Sequence, residues 1–229
     1  MAGKKRGGLT TLAFSLLGVV ILFTLVPFGP GLRMFRQPSG SMQPALYPGD
    51  HMVVTKWAYG YGRYSFAPFP FPMEHGRFLG RTPQRGELAV FRPRPEPDRD
   101  FIKRVIGLPG DRIQMIDGAL HINGEAVQRE ALGERSFDDG SGHVARALAF
   151  RETLPGGASY LILDRTSAGE LDNTRVYQVP EGHYFVMGDD RDNSADSRVP
   201  SVVGFIPVEN FVGPVAWIMP SSGADRIQE

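Results

Sequence analysis

Residues 113–127 read Ile-Gln-Met-Ile-Asp-Gly-Ala-Leu-His-Ile-Asn-Gly-Glu-Ala-Val, or IQMIDGALHINGEAV. Two turn dipeptides, Asp117-Gly118 and Asn123-Gly124, break the stretch into short apolar runs. Asp-Gly and Asn-Gly favour tight hairpin turns, because both turn residues must adopt positive φ. The stretch therefore predicts consecutive antiparallel strands. Similar short β-branched or aromatic runs recur on either side: DHMVVTKW at 50–57, GELAVFR at 86–92, FIKRVIG at 101–107, YLILD at 160–164, HYFVMG at 183–188 and VGPVAWIM at 212–219. Pro48-Gly49 and Pro109-Gly110 punctuate them. No long amphipathic helix pattern lies among these runs, so a mostly β, antiparallel fold is expected.

Composition agrees. The 229 residues include 28 Gly and 19 Pro, about a fifth of the chain against roughly 12% in average usage. Cysteine is absent, which excludes disulfides, thiolate metal sites and a cysteine nucleophile. Lys plus Arg and Asp plus Glu each number 25, and a net charge of zero argues against nucleic-acid binding by bulk positive charge. The five histidines, His51, His75, His121, His143 and His183, lack metal-ligand spacing, so no metal and no organic cofactor is expected. No Gly-x-Ser-x-Gly elbow is present.

The amino terminus departs from this average. Lys4, Lys5 and Arg6 are followed by a charge-free stretch over residues 9–32. The segment 9–26, LTTLAFSLLGVVILFTLV, would span about 27 Å as a helix, close to the hydrocarbon thickness of a bilayer. A cleavable secretory signal has a shorter apolar core and a small-x-small site, whereas PFGPGLRMF follows here. The expectation is an uncleaved transmembrane helix over residues 9–28, with residues 1–8 kept in the cytoplasm by their positive charge. The rest then lies on the outer face, as a β core of residues 33–112 and 183–220 with a second β region, 113–182, inserted into it.

Two segments look irregular. Residues 60–84 are rich in Gly, Pro and aromatics and are expected to be a membrane-proximal insertion. Their FAPFPFP run, 66–72, reads either as a Pro-rich loop on the sheet or as an aromatic edge meeting the lipid interface. Residues 126–180 are more polar, with FDDGSGH and LPGGASY expected as loops.

Three segments carry the chemistry: PSGSMQPAL at 38–46, FIKRVIGLPGD at 101–111 and GDDRDNSADSR at 188–198. Each alone has an ordinary reading, as a linker, a solvated strand lysine and a polar turn. In this order, behind an amino-terminal anchor, they resemble the type I bacterial signal peptidases, membrane-bound serine proteases with a Ser/Lys dyad. The resemblance implies Ser41 as nucleophile and Lys103 as general base. It also implies an oxyanion hole from the Ser41 N–H and the Ser39 hydroxyl, with Ser194 hydrogen-bonded to Lys103. Asp189, Arg191, Asp196, Arg198 and Arg104 become structural support. Met42, Leu46, Phe101 and Ile102 fall where the family has shallow apolar substrate pockets, and Gln37 stands where an aliphatic residue is common. Asp190 replaces a common Asn.

The chemistry suits these assignments. A serine needs a base to take its proton, and a lysine serves only if its pKa falls from about 10.4 toward neutrality. Burial among apolar neighbours does this, and strand alternation puts Phe101 and Val105 on the face of Lys103. The pattern alone equally allows Lys103 and Arg104 to be solvated. Oxyanion donors supply about 3–4 kcal/mol each. The implied substrates are signal peptides of exported preproteins with Ala-x-Ala sites, cut at the outer face of the cytoplasmic membrane near the export translocon, with the bilayer as a second partner. The alternatives are a dyad peptidase dedicated to one conjugation or pilus precursor, and a membrane-anchored β module that binds without cutting.

Overall fold

The computed structural model describes residues 31–62, 76–221 and 226–227. Their fourteen strands are β1 (Leu32–Arg36), β2 (His51–Thr55), β3 (Leu88–Phe91), β4 (Phe101–Gly107), β5 (Arg112–Ile116), β6 (Ala119–Ile122), β7 (Glu125–Ala126), β8 (Gln128–Asp138), β9 (Val144–Thr153), β10 (Ser159–Asp164), β11 (Tyr177–Gln178), β12 (His183–Met187), β13 (Ile206–Pro207) and β14 (Phe211–Met219). All ladders between these strands are antiparallel. Among the described residues helical structure is limited to single 3-10 turns, so the mostly β expectation holds. Among the same residues no helix is long and apolar enough to cross a membrane. The expected anchor, 9–28, and the FAPFPFP run, 66–72, lie outside the described residues.

The quoted stretch folds as it reads. Asp117 and Gly118 take φ of 48° and 73°, and Asn123 and Gly124 take 58° and 89°. Both turns thus have the double positive φ of a tight hairpin. They join β5, β6 and β7 into a four-stranded sheet ordered β11-β5-β6-β7. The larger sheet runs β1-β2-β14-β3-β4-β12-β13 and draws its strands from both ends of the described chain. A third sheet, β10-β9-β8, completes the fold.

The polar region expected to be irregular contains the longest hairpin instead, β8 with β9. Its alternation is hard to read because β8 is exposed along most of its length, and Gly133, at φ 84°, sits where the register shifts. FDDGSGH is therefore only partly a loop: Phe137 and Asp138 belong to β8. Phe137 packs with Ala147, Ala149, Leu163 and Tyr47, which fastens the hairpin to the segment just beyond the serine turn.

A second cluster centres on Phe211 of β14, which is fully buried. Its ring meets Tyr184 edge-on at 5.3 Å, Tyr59 edge-on at 5.8 Å and Phe91 at 5.9 Å. Such aromatic pairs add to the burial of apolar area. Replacing Phe211 by Ala leaves a cavity among three rings and is expected to cost about 3–5 kcal/mol, measured by urea unfolding followed by circular dichroism.

Candidate active site

Ser41 lies in a 3-10 turn, Gly40–Met42, and Lys103 lies mid-strand in β4, paired in register with Ala89 of β3. The two are 62 residues apart in sequence, yet Lys103 Nζ donates to Ser41 Oγ at 2.5 Å. Ser39 Oγ is 3.3 Å from Ser41 Oγ. Lys103 is almost completely buried. Burial lowers its pKa to about 8, against the opposing fields of Asp196 and Asp189; Arg198 reinforces the fall. Desolvation thus outweighs the nearby acids, and the lysine loses its proton close to neutral pH.

The acids around the lysine are each held by an arginine. Asp189 takes two hydrogen bonds from Arg104, at 2.8 and 2.5 Å. Arg104 also donates to the Gly86 carbonyl and lies 4.0 Å over the Tyr160 ring. Asp196 accepts from Arg198 Nε and a terminal Arg198 nitrogen, both at 2.9 Å, and from the Gly188 N–H at 3.0 Å. Burial works to raise the Asp196 pKa, but Arg198 and these hydrogen bonds win and hold it below the usual range. Arg191 pairs with Glu152 of β9, and Tyr160 donates to the same carboxylate. Arg198 reaches back to the Arg191 carbonyl at 2.6 Å, which closes the loop on itself.

Ser194 departs from its expected role. Its hydroxyl donates to Asp196 Oδ2 at 2.9 Å, and among the described residues no hydrogen bond joins it to Lys103. The lysine's hydrogen bond goes to Ser41, and the nearby carboxylate is the stronger acceptor for the Ser194 hydroxyl. Gly40 has a packing role. A side chain there would collide with Gln43 Oε1 and crowd Asn193, so the glycine lets the serine turn seat against the 191–193 turn.

Asp190 finds its partner outside the three motifs. It is fully buried, and Arg165, just past β10, donates to it at 2.6 Å and twice at 3.1 Å. Burial raises its pKa, and Arg165 opposes the shift. The Asp190 N–H donates to the Ser41 carbonyl at 3.3 Å, so this acid joins the Ser41 backbone to the segment just past β10. Gly188 is equally tied to the site. An added side chain there would collide with Ser194 and lie 2.6 Å from the Ser41 carbonyl. Glu152 and Arg165 carry no local signal of their roles, because partners 25–39 residues away define them.

The pocket residues divide. Gln37, Phe101 and Ile102 line one small cavity of about 30 Å³ together with Phe35, Met52 and Val90. Met42 and Leu46 are fully buried in an apolar cluster with Ile102 and do not line that cavity. They are packing residues beneath the serine turn, because Met42 follows Ser41 directly into the core.

Residues 8–219 match the family described as signal peptidase, peptidase S26. A Signal peptidase I of Rickettsia typhi is 42% identical over 194 residues, 82% of this chain and 71% of that protein. The Signal peptidase I of Rickettsia akari is 41% identical over the same shares. A solved signal peptidase I from Enterococcus faecalis is 26% identical and covers 58% of this chain and 97% of that one, at a TM-score of 0.33. The chain belongs to the signal peptidase family and is a serine endopeptidase.

Asp190 raises the Lys103 pKa and Arg165 remains beside it. Asp190→Asn removes that negative charge with little change of shape. The rising limb of the pH–rate profile is expected to move to lower pH in this variant, read from kcat/KM on a peptide substrate.

Proposed function

We propose that this enzyme removes amino-terminal signal peptides from exported preproteins, with Ser41 and Lys103 as its catalytic pair. The observation that carries the reading is the 2.5 Å contact between Lys103 Nζ and Ser41 Oγ, with a buried amine whose pKa is about 8. Ser41 Oγ attacks the scissile carbonyl carbon while its proton passes to Lys103 Nζ. The Ser41 N–H and the Ser39 hydroxyl stabilise the oxyanion that forms. The intermediate collapses with cleavage of the C–N bond, and Lys103 returns the proton to the leaving amine. A water then gives its proton to Lys103 and attacks the acyl ester, releasing the signal peptide and restoring Ser41. Ser194 acts indirectly, by helping to hold Asp196 and Arg198 near the lysine. The arginine-paired acids fix the loop.

Residues 33–112 and 183–220 make up the catalytic core in this reading, with 113–182 inserted and 60–84 lying next to the membrane. The core sits on the outer face of the cytoplasmic membrane, tethered by the helix over residues 9–28 with residues 1–8 inside. The exposed face of the large sheet supports that placement. Met34 of β1 and Trp217 of β14 both pair with Val53 of β2, 60% and 73% exposed, so three neighbouring strands carry an apolar row. Such a surface suits contact with lipid, and β1 begins a few residues beyond the helix. The preferred substrates carry small residues at the first and third positions before the cut, and they meet the enzyme at the membrane, near the export translocon.

The test uses the full chain in lipid vesicles with an Ala-x-Ala preprotein. Wild type is expected to cleave it, while Ser41→Ala and Lys103→Ala leave it intact with unchanged circular dichroism. Cleavage by Ser41→Ala would falsify the mechanism. Because the neutral amine is the active form, kcat/KM should rise with pH through a limb near 8. A limb near the 10.5 of an ordinary lysine speaks against a buried base.

A further inference from the structure

A second pocket opens where the β3–β4 connection, β11, the start of β12 and the 197–205 turn converge. Its volume is about 300 Å³, at the lower end of pockets that take small molecules. Neither Ser41 nor Lys103 lines it, and neither do the acids around the lysine. Its floor is apolar and anchored in the core. Phe205 meets Phe185 at 6.1 Å, Tyr177 meets the same ring at 5.1 Å, and Val203 is buried. The hydroxyls in its wall are already used. Tyr177 donates to the Arg198 carbonyl at 2.9 Å. Ser197 donates to the Gly204 carbonyl at 2.6 Å and accepts from the Val186 N–H at 2.9 Å. The basic lining residues are Arg94, Arg175 and His183, and no Asp or Glu lines the pocket with them. Among the described residues Arg94 has no hydrogen bond or ion pair, and Arg175 makes only a cation–π contact, 5.2 Å over the Tyr177 ring. A ligand for this pocket therefore has to bring negative charge and hydrogen-bond acceptors, together with an apolar part.

We propose that this pocket binds a small phosphate monoester, with the phosphate among Arg94, Arg175 and His183 and an apolar or aromatic body on Phe205 and Val203. Phosphate suits two guanidiniums and an imidazole better than a carboxylate does. It offers three terminal oxygens and up to two charges, against two oxygens and one charge. The apolar floor separates the ligand from inorganic phosphate, which would leave Phe205 and Val203 uncovered. The assignment goes beyond peptide cleavage and does not depend on the dyad.

The full chain in nanodiscs of zwitterionic lipid is titrated with phenyl phosphate, benzoate, inorganic phosphate and benzyl alcohol, and Kd is read by isothermal titration calorimetry. Phenyl phosphate is expected to bind the wild type more tightly than each of the other three. Arg94→Met combined with Arg175→Met is expected to weaken phenyl phosphate by at least about tenfold, the factor for one charge-assisted hydrogen bond. Both side chains are exposed, so circular dichroism and peptide cleavage are expected to match wild type. The single variant Arg94→Met gives an independent reading in the same direction. Equal affinity in wild type and variants, or no binding of phenyl phosphate at millimolar concentration, overturns the site. Inorganic phosphate or benzoate bound as tightly as phenyl phosphate marks an adventitious anion only and overturns the monoester assignment.

Discussion

A lysine can act as a base on Ser41 only if it loses its proton near neutral pH, and three buried carboxylates stand close enough to prevent that. The fold answers with cations held elsewhere. Arg198 takes Asp196, Arg104 takes Asp189 and Arg165 takes Asp190. With the acids so paired, their fields on Lys103 fall short of the desolvation that burial imposes. Buried ion pairs are a poor source of stability, since desolvation offsets much of their attraction. Here their value is electrostatic: they set the charge that the amine meets. The apolar clusters provide the rigidity that keeps these short contacts in place, and Val105 and Ala89, both beside the lysine in the sheet, belong to one of them.

Much of this was legible in the primary structure, for a physical reason. Turn dipeptides at 117–118 and 123–124 demand positive φ, which few residue types tolerate, so two hairpins could be placed without any long-range knowledge. Ser41, Lys103 and the Asp/Arg-rich loop were recognisable as a set because each sits in a compact motif. The partners of that loop were not legible. Glu152 and Arg165 are ordinary charged residues in a polar region, and nothing within a few positions of either signals that it pairs with the 188–198 loop. Ser194 shows the same limit at closer range. Its hydroxyl donates to Asp196, and that choice depends on the three-dimensional order of donors and acceptors.

Misreading of the β8–β9 hairpin has a related cause. Periodicity reports burial on one face, and a ribbon exposed on most of its length shows little of it. Besides the β9–β10 ladder, contacts near its turn anchor the ribbon: Phe137 against Tyr47, and the Gln43 side chain donating to the Asp138 carbonyl at 2.6 Å. Both contacts land on residues that closely follow Ser41. The serine turn is thereby braced from below by Met42 and Leu46 and from the side by the hairpin.

The parallel bridge between Leu163 and Asp190, with the Leu163 N–H donating to the Asp189 carbonyl at 2.9 Å, joins β10 to the loop that faces Ser41. Domain grafting then has a defined minimum. Trimming the chain between β5 and β12 would strand Arg191 and Asp190 without their counterions, Glu152 and Arg165. Any shortened chain that keeps these pairs must retain β9, which carries Glu152, and Arg165 just past β10.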